Sequence, residues 1–293
     1  MFFLLMGGLV SAGNAEPLHS ERQVAHAAVK AAFDRWAPAP SDERGYVATP
    51  EQNLLPGVWL DQFAADLEKG AGHELAGKFR AVHSSSALAV NTFGPFRDQP
   101  VALVLLGARG YDPPVFEKEL STGLRGTGPT LDVFLRRGED LVAIESKFLE
   151  YFSPKEAHFS PRYVRRVFPW AEDGWWRVLE GSQCAGRRNL DVAQLVKHYL
   201  GLGRLMDQGG PGGFKPRRVT LLYLYWEPAN APAIEACRRH RAEIAELAAH
   251  VAGSRIAFRS MSYPSLWAEW AALPECSGHA SNLAARYVFP VAP

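Results

Sequence analysis

Apolar and polar residues recur along this chain with two different periods, and the switch between them divides it. Residues 18–36 place Val24, Ala28, Ala31 and Ala32 at helical spacing, and two prolines in 37–40 end that helix. After the Pro56-Gly57 turn, 59–67 reads as a second helical patch. Residues 74–93 carry Leu75, Phe79, Val82, Leu88 and Val90, which predicts helix over part of the segment, interrupted at Ser84-Ser85-Ser86. The short apolar run 101–106 fits a strand or a buried helical turn, and 115–120 fits a strand. After the Gly-, Thr- and Ser-rich loop 121–129, Leu131, Val133 and Leu135 share one face of a strand. A turn at 137–140 containing Gly138 joins it to a second strand over 141–148, so the two form a hairpin.

The helical period returns in 189–206, where Val192, Leu195, Val196, Tyr199 and Leu200 form an amphipathic stripe that the glycines of 209–213 end. Residues 219–226 predict an apolar strand, 232–251 a helix rich in Ala and Glu, and 256–259 a further strand. No internal repeat is present. From 74 to 226 the order is helix, strand, strand, strand, helix, strand, which implies an α/β fold with a mixed sheet flanked by helices. The expected organisation is an apolar segment at 1–15, a helical extension over 16–73, a core over 74–226 with an insertion at 153–188, and a helical portion over 227–293 packed on the core.

Composition changes this picture little. Of 293 residues, 47% are hydrophobic and 22% charged, ordinary for a globular chain that buries a core, and the net charge of +1 neither requires nor excludes a nucleic-acid partner. Three cysteines without a CxxC spacing argue against a disulfide framework or a zinc site. Residues 1–15 resemble the apolar and small-residue regions of an export signal, but no Lys or Arg precedes Arg22. The expectation is a cytoplasmic protein without a membrane span, with export as the alternative.

Chemistry concentrates in the hairpin. Pro129-Thr130-Leu131-Asp132 is followed, after twelve residues, by Glu145-Ser146-Lys147. Residues two apart on a strand share a face, so Glu145 and Lys147 project together from an otherwise apolar strand, with Asp132 on its neighbour. Charges there are costly without partners. Two carboxylates converging from adjacent strands suit magnesium or manganese, and a nearby lysine can act on a water or stabilise charge on phosphorus. As plain structure, the three are surface residues of an amphipathic hairpin.

The segments GTGPTLDVFL and LVAIESKF resemble the two signature strands of the PD-(D/E)XK nucleases, and the order of elements matches that superfamily's restriction-endonuclease-like core. The pieces HSSSALAVNTFGPF, STGLRGTGPTLDV and AIESKFLEYF are similar to a family of bacterial restriction-endonuclease-like proteins. The likeness covers about half the chain, and two residues separate its Pro from its Asp. It implies a magnesium-dependent endonuclease acting on DNA, with manganese as a substitute. Asp132 and Glu145 would be metal ligands and Lys147 the catalytic lysine. Glu74 would supply the acid that many members place on the first core helix, and Gln194 a glutamine of the second. Glu117 and Glu119 are alternatives to Glu74, though more in keeping with a solvated strand face, and Glu150 follows the active strand.

In 153–188, basic residues alternate with aromatics. Lys155, Arg162, Arg165 and Arg166 suit phosphate contacts beside Tyr163, Phe168, Trp170, Trp175 and Trp176. The competing expectation is a small packed subdomain with solvated arginines. His158 and His198 read as structural, and Trp267 and Trp270 as packing. No GxSxG elbow surrounds Ser84–Ser86, and 209–213 lacks the Lys-Ser/Thr of a phosphate loop. Nucleases that cut both strands are commonly homodimers, and the sequence shows no interface that decides it. The rival expectations are a catalytically silent nucleic-acid-binding protein on the same fold, and an exported protein of another function.

Overall fold

Ser20 starts the first helix by accepting the Gln23 N–H, while the Gln23 side chain accepts the Ser20 N–H. The computed structural model describes residues 20–69, 75 and 77–292. The apolar segment at 1–15 and Glu74 lie outside them. Helix α1 (Glu21–Trp36) buries Ala25, Val29, Ala32 and Phe33. The second patch shrinks to a 3-10 turn and the short α2 (Ala64–Lys69).

Ser84-Ser85-Ser86 does not interrupt a helix; it begins one. Ser84 accepts the Ala87 N–H at 3.2 Å and caps α3 (Ser85–Phe93), which is buried from Ala87 onward. The apolar run 101–106 is no strand: Pro100 opens a 3-10 turn and Val101 faces solvent.

Three antiparallel strands follow, β1 (Val115–Glu119), β2 (Thr130–Arg137) and β3 (Asp140–Lys147). β2 and β3 turn through Gly138, whose φ of 58° favours a residue without a side chain. Two-residue strands β4 (Lys155–Glu156) and β5 (Arg187–Arg188) close the base of the insertion around α4 (Asp173–Ser182). Asp191 accepts the Gln194 N–H at 3.1 Å and caps α5 (Val192–Gln208). Then come β6 (Arg218–Tyr225), α6 (Glu235–His250), β7 (Ile256–Ser262), α7 (Tyr263–Ala271) and α8 (Pro274–Tyr287).

The sheet order is β1-β2-β3-β6-β7, with β3-β6 and β6-β7 parallel, so it is mixed as expected. The portion after 226 is not helical alone: it adds β7 as the fifth strand. One sheet face packs on α1, α3, α7 and α8 through Val133, Val142, Ile144 and Leu222. The other packs on α4 and α5 through Phe134, Leu141, Ala143 and Leu221. Phe168, Trp175, Trp176 and Leu179 of the insertion belong to this second core, so the insertion is part of the main body. Being covered on both faces, β3 is the most buried strand, and any charge it carries must find partners inside.

Candidate active site

Alternation along β3 sends the side chains of its last residues in opposite directions. Lys147 Nζ donates to Gln194 Oε1 on α5 at 2.8 Å, on one side of the sheet. Ser146 turns to the other, where its Oγ lies 2.7 Å from the Tyr263 hydroxyl and donates to the Ser85 carbonyl at 3.4 Å.

Asp132 arrives from β2. Val133 pairs with Ile144, so one step further Asp132 stands opposite Glu145. There Asp132 Oδ2 accepts the Ser146 N–H at 2.7 Å. The other neighbour strand contributes a third acid. Phe116 pairs with Val133 and Lys118 with Leu131, which sets Glu117 across from Asp132. Glu117 has a φ of 48°, a left-handed backbone that costs on the order of 1–3 kcal/mol for a residue with a side chain. Its Oε1 is 3.5 Å from Ser86 Oγ at the start of α3.

The electrostatics follow from burial and neighbours. Glu145 is wholly buried, with Oε1 paired to Lys147 Nζ and Oε2 2.6 Å from His198 Nε2. Burial pushes its carboxyl up, but Lys147 and His198 outweigh that and hold it at about 2. Burial likewise opposes the Lys147 ammonium, and Glu145, Glu150 and Asp132 together hold it above the ordinary lysine range. Lys147 is therefore a fixed positive charge. Asp132 goes the other way: burial, Glu145 and Glu117 push it well above the usual carboxylate range, against Lys147 and the Ser146 N–H.

Among the described residues no group of three or more His, Cys, Asp or Glu is set to hold a metal ion. The donor types nevertheless fit one. Asp132 sits in an excess of negative charge that a cation would relieve, and hard carboxylate oxygens are what magnesium takes. With both Glu145 oxygens engaged, shared ligation by Glu145 requires one of those contacts to open.

The model of one family, described as Restriction Endonuclease associating with ARP, matches residues 19–288. The chain belongs to that family, REase-ARP. Among the curated proteins and the solved structures nothing matches.

In this REase-ARP chain the fold brings Asp132, Glu145, Lys147 and Gln194 together, while Glu74 lies outside the described residues. Glu119 is elsewhere: it is exposed and accepts the Gly128 N–H at 2.7 Å. Glu150 Oε2 accepts the Phe148 N–H at 2.7 Å, and its charge reaches Lys147. His198, which reads as structural in the sequence, touches Glu145 directly. Its signal in the sequence is the four-residue step from Gln194, which puts both on one face of α5.

The basic stretch of the REase-ARP chain divides. Trp175 is buried and stacks on Tyr199 with centroids 4.5 Å apart, and Phe168 and Trp176 are buried too, so these rings pack the core and are closed to bases. Arg162 and Arg166 are exposed, and Arg165 is exposed and paired with Asp173. Lys155 is closest to the site. Its Nζ is 3.7 Å from Asp191, and it lines a small hollow together with Lys147, Glu150 and Tyr223. No helix among the described residues is long and apolar enough to cross a membrane.

Proposed function

We propose that this chain is a metal-dependent endodeoxyribonuclease that hydrolyses phosphodiester bonds in DNA. The observation that carries the reading is the meeting of Asp132, Glu145 and Lys147 at one end of a buried sheet, with Gln194 on the lysine. Family membership supports it, because restriction endonucleases act on DNA. Asp132 and Glu145 would hold magnesium, or manganese in its place, and the ion would supply positive charge at the phosphate. Lys147 presents its ammonium where negative charge grows on the phosphoryl oxygens. Gln194 fixes the direction of that ammonium, and His198 fixes Glu145. Lys155, Arg162, Arg165 and Arg166 are the proposed contacts to more distant phosphates.

The test is cleavage of plasmid and single-stranded DNA with magnesium or manganese, wild type beside Asp132→Ala. Cleavage lost in the variant supports the reading, and equal cleavage sinks it. No cleavage by wild type with either metal favours a DNA-binding protein without catalysis.

A further inference from the structure

Beside the acids, between α1 and the start of α3, the surface opens into a hollow of about 190 Å³. Its walls include Arg22, His26, Tyr46, Lys78, His83 and Glu150. Two wall residues connect it to the site already described. Ser85 receives the hydroxyl of Ser146, and Glu150 lends its charge to Lys147. Glu150 also lines the small hollow that Lys147 opens into, so the two openings share that residue.

The lining is unusual for simple packing. The His26 and His83 rings meet edge to face with centroids 4.3 Å apart, and Tyr46 sets its edge against His83. Both imidazoles are half-buried, and neither makes a hydrogen bond among the described residues. Burial, and for His26 the neighbouring His83 and Arg22, lowers both below the ordinary histidine range, so each is neutral near pH 7 and offers one N–H. Arg22 and Lys78 are exposed and form no ion pair among the described residues. Against these stands one carboxylate, Glu150, and one of its oxygens already holds the Phe148 N–H. These two cations and two ring donors around a cavity form a recognition set for an oxyanion.

We infer that this hollow is a subsite for a backbone phosphate of the DNA strand, placed beside the bond to be cut. The inference rests on the nuclease reading for its substrate, but binding tests it without cleavage.

The first experiment titrates inorganic phosphate into the full chain with ¹⁵N-labelled histidine. Saturable shifts confined to the His26 and His83 rings support the subsite, and no shift, or equal shifts across all histidines, overturns it. The second measures anisotropy of labelled DNA in calcium, with and without a terminal phosphate. Arg22→Gln combined with His83→Gln is expected to bind about tenfold more weakly, with a salt slope shallower by about 1. Lys78→Gln, at an exposed position with no ion pair among the described residues, is the second variant, and Arg35→Gln, outside the hollow, is the control. Wild-type affinity in both test variants, or an equal loss in the control, overturns the subsite. A loss seen only with a terminal phosphate overturns the backbone assignment. If Lys147→Ala still cuts DNA while the subsite variants bind poorly, the catalytic reading falls and the subsite stands.

Discussion

His198 Nε2 lies 2.6 Å from Glu145 Oε2, and both side chains are completely buried. Nδ1 of the same ring has no partner among the described residues. A carboxylate oxygen only accepts, so Nε2 is the nitrogen that carries the proton between the two side chains. His198 thus holds one oxygen of Glu145 while Lys147 holds the other.

Replacing His198 by Phe keeps a ring in the core and frees Glu145 Oε2. The expected outcome is a fall in cleavage of about tenfold or more with a lower melting temperature. His198→Asn, which retains a donor, is expected to recover part of both. Unchanged cleavage in His198→Phe would remove His198 from the site.

Lys147→Met is expected to abolish cleavage, and the burial of its partner adds a stability cost. Glu145 would be left with His198 alone in a buried setting, a loss of about 3–5 kcal/mol. Adding Glu145→Gln removes the stranded charge, so the double variant is expected to regain most of the stability and none of the activity. Urea titrations of the four proteins give the coupling, and purely additive losses would contradict a buried pair.

His240 contributes to the pH dependence of stability, alongside His26 and His83. Its Nε2 lies 2.8 Å from the Tyr223 hydroxyl and its ring stacks on Tyr151. Burial, then Arg241, lowers it from 6.5 to about 3. The unfolded chain therefore takes up a proton that the folded chain refuses. The contribution of His240 to stability is complete above pH 6.5 and falls by up to about 1.4 kcal/mol per unit as the pH drops toward 3. His240→Phe is expected to be less stable at pH 7, because Tyr223 loses its partner, yet to lose less on acidification. Parallel melting curves from pH 7 to 4.5 would overturn this.

Gly128 fixes the approach of β1 to β2. A Cβ there would stand 2.0 Å from the Leu120 carbonyl oxygen, a backbone atom with nowhere to go. Gly128→Ala is expected to destabilise the chain by about 2 kcal/mol or more and to weaken cleavage, since Glu117 and Asp132 sit on the displaced strands. Denaturant midpoints at wild-type values would contradict that packing.

Some of this site is written in local spacing and some only in the register of the sheet. Asp132, Glu145 and Lys147 stand out because a charged pair two apart in an apolar strand costs desolvation that only partners or chemistry offset. His198 hides because a histidine among Leu195, Tyr199 and Leu202 looks like core, and only the fold shows what it faces. Glu117 reads as solvated strand, since nothing local announces its left-handed backbone. The β7 strand keeps exposed Arg259 and Ser260 at its outer edge, which blurs its alternation, while the run at 101–106 fits a strand as well as a helical turn and Pro100 sets the turn. The tryptophans beside the arginines suggest stacking on bases, and composition carries no sign of their burial against α5.

Ser146, at the heart of the site, rests its hydroxyl on that of Tyr263, the residue that opens α7. Synthesis proceeds from the N-terminus, so Asp132, Glu145 and Lys147 leave the ribosome well before β7 and Tyr263 that brace them. The contact that braces Ser146 waits for a residue 117 positions further along the chain. A product that stops before Tyr263 carries the acids and the lysine without the hydroxyl that Ser146 rests on.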